Sequence, residues 1–331
     1  MESRAILVLG MHRCGTSAVT RCLGFLGAEL GTELLPPDSA NPSGYWEDLR
    51  ILELNQRLAE ALGEKSDHWW AHFLPLEIPL DAPPVLALLS EAVETIRARF
   101  RPYPWWAFKD PRTLRAFPFW ETALQQAGVE IREVVVVRHP LACARSIGLR
   151  DRVPEDRSTL IWASHYLGYW PQIAARPWVA IDYDRLLEDP EPELRRLSER
   201  LGLPWNPQAL KEATAFLAPS LRHARGRPEE FANHPNLSPL VSEAFAALED
   251  LCVDRDPQSA GARLLALHTE LHRLVPLLRV LEAESSRAAK LGVLWAQQEK
   301  SRTWRLFRRL REVERSFRRF RRRQSGATSN G

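Results

Sequence analysis

Residues 4–17 read RAILVLGMHRCGTS, and the fold turns on this stretch. Arg4 to Leu9 is a short apolar run without alternation, the pattern of a strand buried on both faces of a parallel sheet. Gly10 ends it, and from Ser17 to Leu26 the spacing turns helical, with Ala18, Cys22, Leu23 and Leu26 on one side. Strand, glycine loop and helix in that order open an α/β nucleotide fold. Such a loop aims backbone N–H groups and a helix N-terminus at an anion. Gly10 and Gly15 have the spacing of the pattern GxxxxGK[ST], but Thr16 stands where that pattern has Lys. The loop's positive charge comes earlier, at Arg13. An NTP-hydrolysing loop uses the Lys, with magnesium, to neutralise β and γ phosphates. This loop is therefore suited to hold phosphate and poorly equipped to hydrolyse ATP.

Outward from the loop, βα alternation continues. Residues 31–45 are rich in Pro, Gly, Asn and Ser and read as a loop. Glu47 to Leu62 reads as a helix burying Leu49, Leu52, Leu58 and Leu62, and Pro83 to Phe100 as another. Trp105 to Phe108 and Trp178 to Ile181 are short strands. Ile131 to Val137 (IREVVVV) is the clearest strand, its four consecutive Val arguing for the middle of a parallel sheet. Helices start at Pro140 and Pro190, the second stopping near Gly202 and Pro204. After about Pro239 long helical patterns take over. Leu264, Leu267, Leu271, Leu274, Leu278 and Leu281 form an a/d seam that Pro276 must bend or interrupt.

The expected fold class is α/β, a central parallel sheet flanked by helices, with a C-terminal long-helix, coiled-coil extension. The expected divisions are residues 1–235 for the α/β domain, 236–323 for a helical, basic extension, and 324–331 for a disordered tail. The 331 residues are 45% hydrophobic and 26% charged, which permits a sizeable core and excludes general disorder. The net charge of +3 hides an asymmetry, because residues 301–323 alone carry eleven Arg against two Glu. The four Cys show no CxxC and no metal-ligand spacing with His, so free thiols and no metal site are expected. No signal peptide or membrane span is legible, and the expected location is the cytoplasm.

A second motif is Arg138-His-Pro-Leu-Ala-Cys-Ala-Arg-Ser146. Arg138 leaves the four-Val strand at its carboxyl end, where α/β sheets place their ligands. Ser146 lies two turns along the next helix and joins Arg138 only if that helix packs back across the strand end.

Together these residues resemble the sulfotransferases that use PAPS (3′-phosphoadenosine 5′-phosphosulfate), in their bacterial branch and with their P-loop-like fold. His12 and the loop Arg13-Cys14-Gly15-Thr16-Ser17 look like that family's 5′-phosphosulfate loop. Arg138 and Ser146 match, at the family's spacing, the Arg and Ser that hold the 3′-phosphate. Ile181 to Pro190 is similar to the later strand and turn whose Tyr, here Tyr183, lies by the adenosine. Gly44 to Asp48 and Phe108 to Arg112 are similar to bacterial segments, and the resemblance covers about residues 4–225. Two departures stand out. The family's Lys-x-His segment appears as Lys109-Asp110-Pro111 without His, and its late Arg-Lys-Gly segment is missing, with Ser220-Leu-Arg222-His223 in that region.

The resemblance implies sulfuryl transfer from PAPS to an acceptor, without metal. Charge develops on the bridging oxygen of the departing diphosphate, where Arg13 and the loop amides are placed to oppose it. An acceptor hydroxyl needs a base. Glu47 is the first candidate, in an aromatic setting with Tyr45 and Trp46; Asp110 is second and His12 third. Lys109 is one of five Lys in an Arg-rich chain and is a candidate to assist the sulfuryl oxygens. Glu47 also reads as a favourable first-turn acid, Asp110 as a turn residue before Pro111, and Lys109 as a solvated surface charge.

Residues 304–320 read as an amphipathic basic helix, suited to an anionic membrane surface at the inner face or to packing on its own domain. With the Leu seam, self-association is expected too. No nucleic-acid fold accompanies the charge, so nucleic acid is not an expected partner. The segment SRTWR (301–305) resembles the ends of bacterial surface-polysaccharide enzymes, which agrees with a carbohydrate or glycoconjugate acceptor. Trp69, Trp70, Trp105, Trp106, Trp162 and Trp170 are read mainly as core, with an acceptor wall as the alternative. Two other readings stay open: a P-loop kinase, which the missing loop Lys counts against, and a coiled-coil scaffold that binds nucleotide without turnover.

Overall fold

The computed structural model describes residues 3–64, 76–217, 226, 229–234 and 237–300. Arg222, Trp69, Trp70 and the Arg-rich segment 301–323 lie outside them. The chain divides into two units, Met1–Val275 and Pro276–Gly331. The site described below lies in the first.

In chain order the elements begin with β1 (Arg4–Leu9), α1 (Thr16–Phe25), α2 (Leu49–Ala61), α3 (Pro83–Arg99) and β2 (Trp105–Phe108). A 3₁₀ turn (Pro111–Leu114), α4 (Phe117–Ala127), β3 (Glu130–Val137), α5 (Pro140–Asp151), α6 (Glu155–Leu167) and α7 (Trp170–Ala174) follow. Then come β4 (Trp178–Asp182), α8 (Tyr183–Glu188), α9 (Pro190–Leu201), α10 (Pro207–Phe216), α11 (Glu229–Asn233), α12 (Pro239–Cys252) and α13 (Pro257–Lys300).

The four strands form one sheet in the order β2-β1-β3-β4, and every pairing is parallel. Arg4 is in register with Trp105 on one side and Glu130 on the other. Helices cover both faces, which is why β1 and β3 are apolar without alternation. Val134 to Val137 are all fully buried. One layer packs α1 and α9 against Ile6, Val8, Val136 and Ile181. Elsewhere the core is aromatic: Phe100 stacks on Trp106 at 4.6 Å, and Phe108 lies 5.2 Å from Trp120. Trp106, Trp120, Trp162 and Trp170 are thus core residues. No helix of the described residues is long and apolar enough to cross a membrane.

Two expectations need correcting. In α2 the buried face is Ile51, Leu54, Asn55, Leu58 and Ala59, while Leu49 is 40% exposed. The helix starts at Leu49, two residues later than read, with Asp48 as its cap accepting from the amides of Arg50 and Ile51. The stripe also passes through the polar Asn55, which apolar spacing hides. In α13 Pro276 lies inside the helix, which leaves a bend as the remaining form of the expectation, and the apolar seam is buried only in part. Ahead of that proline, Leu264, Leu267 and Leu271 are buried, and His268 bonds the Leu167 carbonyl. Leu274 and Leu281 are exposed.

Candidate active site

Because the sheet is parallel, all four strands deliver their carboxyl ends to one edge. The residues that follow are the loop after Leu9, Lys109 after β2, Arg138 after β3, and Tyr183 after β4. This is where such sheets bind ligands.

The loop is shaped by its glycines. A Cβ at Gly15, where φ is 88°, would lie 2.1 Å from the Tyr183 ring. A Cβ at Gly10 would lie 2.9 Å from the Val136 carbonyl oxygen. Gly15 is also the N-cap of α1 and brings no side chain to its amides, so that helix end faces the cleft without a protein cap. Arg13 has a left-handed backbone (φ 68°), which costs roughly 1 kcal/mol or more for a non-glycine residue. Its carbonyl accepts from Arg138 Nη1 at 2.8 Å, and its Nε donates to Ser146 Oγ at 2.8 Å. Helix α5 does pack back across the strand end, so Arg13, Arg138 and Ser146 meet. Arg138 also lies 5.0 Å over the Tyr183 ring and 4.0 Å from Asp184. Burial lowers the Arg13 pKa, and the nearby Arg150 and Arg138 lower it further. Such crowded cations favour an anion between them.

The other side of the cleft is a buried ion pair. Lys109, 2% exposed, donates to Glu47 Oε1 at 2.5 Å and to Ser17 Oγ at 3.1 Å. Lys109 therefore brings from the neighbouring strand an ammonium to the loop that lacks its own. Glu47 precedes α2 rather than opening it. Burial raises its pKa, with Lys109 opposing. His12 lines the same cleft and is held neutral, its pKa driven well down by burial and then by Arg150 and Arg112. Asp110 is buried and occupied, accepting from Asn55 Nδ2 at 2.9 Å and from the Arg112 amide and Nε. Cys14 is fully buried, its Sγ 2.9 Å from Cys143.

Sequence reading missed several residues of the cleft. Asn41 donates to the Gly44 carbonyl at 2.7 Å and reaches Ser17 Oγ at 3.4 Å, folding the loop of residues 40–45 over the phosphate loop. Arg13 Nη1 reaches the Ala40 carbonyl at 3.4 Å. Phe216, at the end of α10, and Arg150 complete the lining. Arg150 follows Ser146 by four residues on α5, a spacing that marks one helix face and was legible. Arg222 lies outside the described residues; four residues on, Gly226 sits against His139, where a Cβ would be 1.9 Å from the ring.

The sequence model described as the sulfotransferase family matches residues 5–207. The chain belongs to the sulfotransferase family. Among solved structures, this sulfotransferase is similar to the sulfotransferase domain of the Synechococcus PCC 7002 olefin synthase. The two share 15% identity over 80% of this chain and 94% of that one, with a TM-score of 0.42. It is similar also to sulfotransferase STF1 from Mycobacterium tuberculosis H37Rv, at 17% identity over 74% of this chain and 77% of that one, with a TM-score of 0.40. No curated protein matches this sulfotransferase in sequence.

Proposed function

We propose that this sulfotransferase moves a sulfuryl group from PAPS to a hydroxyl of a carbohydrate or glycoconjugate, without a metal ion. The observation that carries the reading is the meeting of Arg13, Arg138 and Ser146 at the mouth of the glycine loop. PAPS has two anionic centres, and the residues present fit both. The uncapped amides of α1, with Arg13, suit the 5′-phosphosulfate, beside Gly15, against which the Tyr183 ring packs too closely for any side chain. Arg138 and Ser146 suit the 3′-phosphate, Tyr183 the adenosine, and Arg222 is proposed as a further phosphate ligand.

When bound, PAPS supplies an activated sulfur atom. The acceptor oxygen bonds to sulfur as the bond from sulfur to the 5′-phosphate oxygen breaks, and the electron pair stays on that phosphate oxygen. Arg13 and the loop amides oppose the charge that develops there. Glu47 takes the hydroxyl proton; its burial raises its basicity above that of an exposed carboxylate. Lys109, bonded to both Glu47 and Ser17, orients the base and faces the charge on the sulfuryl oxygens. Asp110 fixes Asn55 and the 3₁₀ turn behind them.

The test is thermal shift with 3′,5′-diphosphoadenosine (PAP) against ATP, each with and without magnesium. Expected is a rise in Tm with PAP that does not depend on magnesium and is lost in Arg138→Ala. Stabilisation by ATP and magnesium in preference to PAP would overturn the reading.

A further inference from the structure

A second cavity, of about 420 Å³, opens beside the donor cleft. That is room for a sugar-sized molecule. The two share a wall made by His12, Tyr45, Glu47, Pro111 and Arg150. Beyond it the second cavity is apolar on one side, with Leu35, Pro36, Pro37 and Leu52, and carries Arg112 on the other. Glu47 thus stands between the loop that suits the donor and this second space.

The charges of this cavity are unevenly spent. Its carboxylates are held by the protein. Asp38 accepts from the Tyr45 hydroxyl at 2.8 Å and from the amides of Ala40 and Asn41. Asp110 is engaged by Asn55 and Arg112, and Glu47 by Lys109. Arg150 differs. Asp151 takes its Nε at 2.9 Å and its Nη2 at 2.7 Å, which leaves Nη1 without an acceptor among the described residues. Its side chain is 30% exposed, at the mouth of both spaces. After burial, its charge is the strongest influence lowering the pKa of both His12 and Arg13, as befits a cation that shares their cleft.

We propose that the second cavity is the acceptor subsite and that Arg150, supported by Arg112, binds an oxyanion carried by the acceptor. The acceptor is then a hydroxyl compound bearing a carboxylate or phosphate, its hydroxyl at Glu47 and its anion at Arg150. Helix α5 divides the labour along one face: Ser146 serves the donor, and Arg150, one turn on, serves the acceptor. This inference rests on the PAPS reading above.

The test is calorimetric titration of the PAP-saturated protein with glucose, glucuronate and glucose 6-phosphate. At least one anionic sugar is expected to bind about ten-fold more tightly than glucose, the worth of one charge-assisted contact. Arg150→Gln is expected to erase that preference and, because Arg150 lines both spaces, to weaken PAP binding by less than it weakens binding of the anionic sugar. The carboxylate and phosphate arms tell the two sources of oxyanion apart. Three results would overturn the proposal: no binding of either anionic sugar to the PAP-loaded wild type, a preference that survives Arg150→Gln, or a loss of PAP affinity in that variant at least as large as the loss for the anionic sugar, which would assign Arg150 to the donor. Failure of the wild type to bind PAP at all would instead strike the PAPS reading.

Discussion

Replacing Arg13 by Ala removes the guanidinium that reaches Ser146 and the loop of residues 40–45, but it leaves the carbonyl that holds Arg138. The variant is expected to fold as the wild type does by circular dichroism, and to lose about 100-fold or more in turnover. Near-wild-type turnover would remove Arg13 from the chemistry. Glu47→Gln is expected to lower kcat by roughly a hundred-fold to ten-thousand-fold. The sign of the pH effect follows from burial. A raised Glu47 pKa means that the base is lost as pH falls through a value above the ordinary carboxylate range. The acid limb of the kcat/KM profile should therefore sit above that range in the wild type and vanish in Glu47→Gln. An acid limb at the same position in that variant would assign the base elsewhere.

At the scale of elements, Asp48 joins two functions. It caps α2, and its other oxygen pairs with Arg99 of α3 at 2.8 Å. Asp48→Ala should cost about 1–2 kcal/mol in urea unfolding, and Asp48→Asn less, because it keeps the cap acceptor. Equal losses would mean that the ion pair, not the cap, carries the effect. The elements also show what a sequence can disclose. The four strands were readable within a residue or so, since runs such as VVVV have no other comfortable environment. The glycine loop was readable because Gly10 and Gly15 are demanded by backbone approach. By contrast, α6 shows no clean apolar stripe, as it is buried all round, down to Ser164 and His165. The strand order was not legible either, because pairing between distant strands leaves no local mark. Nor was the pairing of Lys109 with Glu47: Glu47 reads alone as a candidate base or first-turn acid and Lys109 as a sulfuryl-oxygen partner or solvated charge, and only the fold brings them together.

For the molecule as a whole, a buried charge makes stability depend on pH. Glu133, on β3 and in register with Leu7, has a side chain with no exposed surface. Burial pushes its pKa up to about 8, with Arg176 pulling the other way. A raised pKa stabilises the fold only while the group is protonated. The contribution is full below the ordinary value of 4.5 and is lost as pH rises through about 8. Glu133→Gln mimics the protonated form, so its Tm relative to the wild type should climb across that window; a constant difference would show that Glu133 does not titrate there. One feature of the sheet also bears on how the chain is made. The central strand β1 leaves the ribosome before the strands it pairs with, Trp105 to Phe108 and Glu130 to Val135. Both of its edges stay open until β2 has followed, and one stays open until β3 has, an arrangement that favours slow folding and stray strand pairing. The nascent chain should therefore depend on chaperones at the same residues that later build the phosphate loop, and a truncation that ends before β3 should aggregate rather than bind nucleotide.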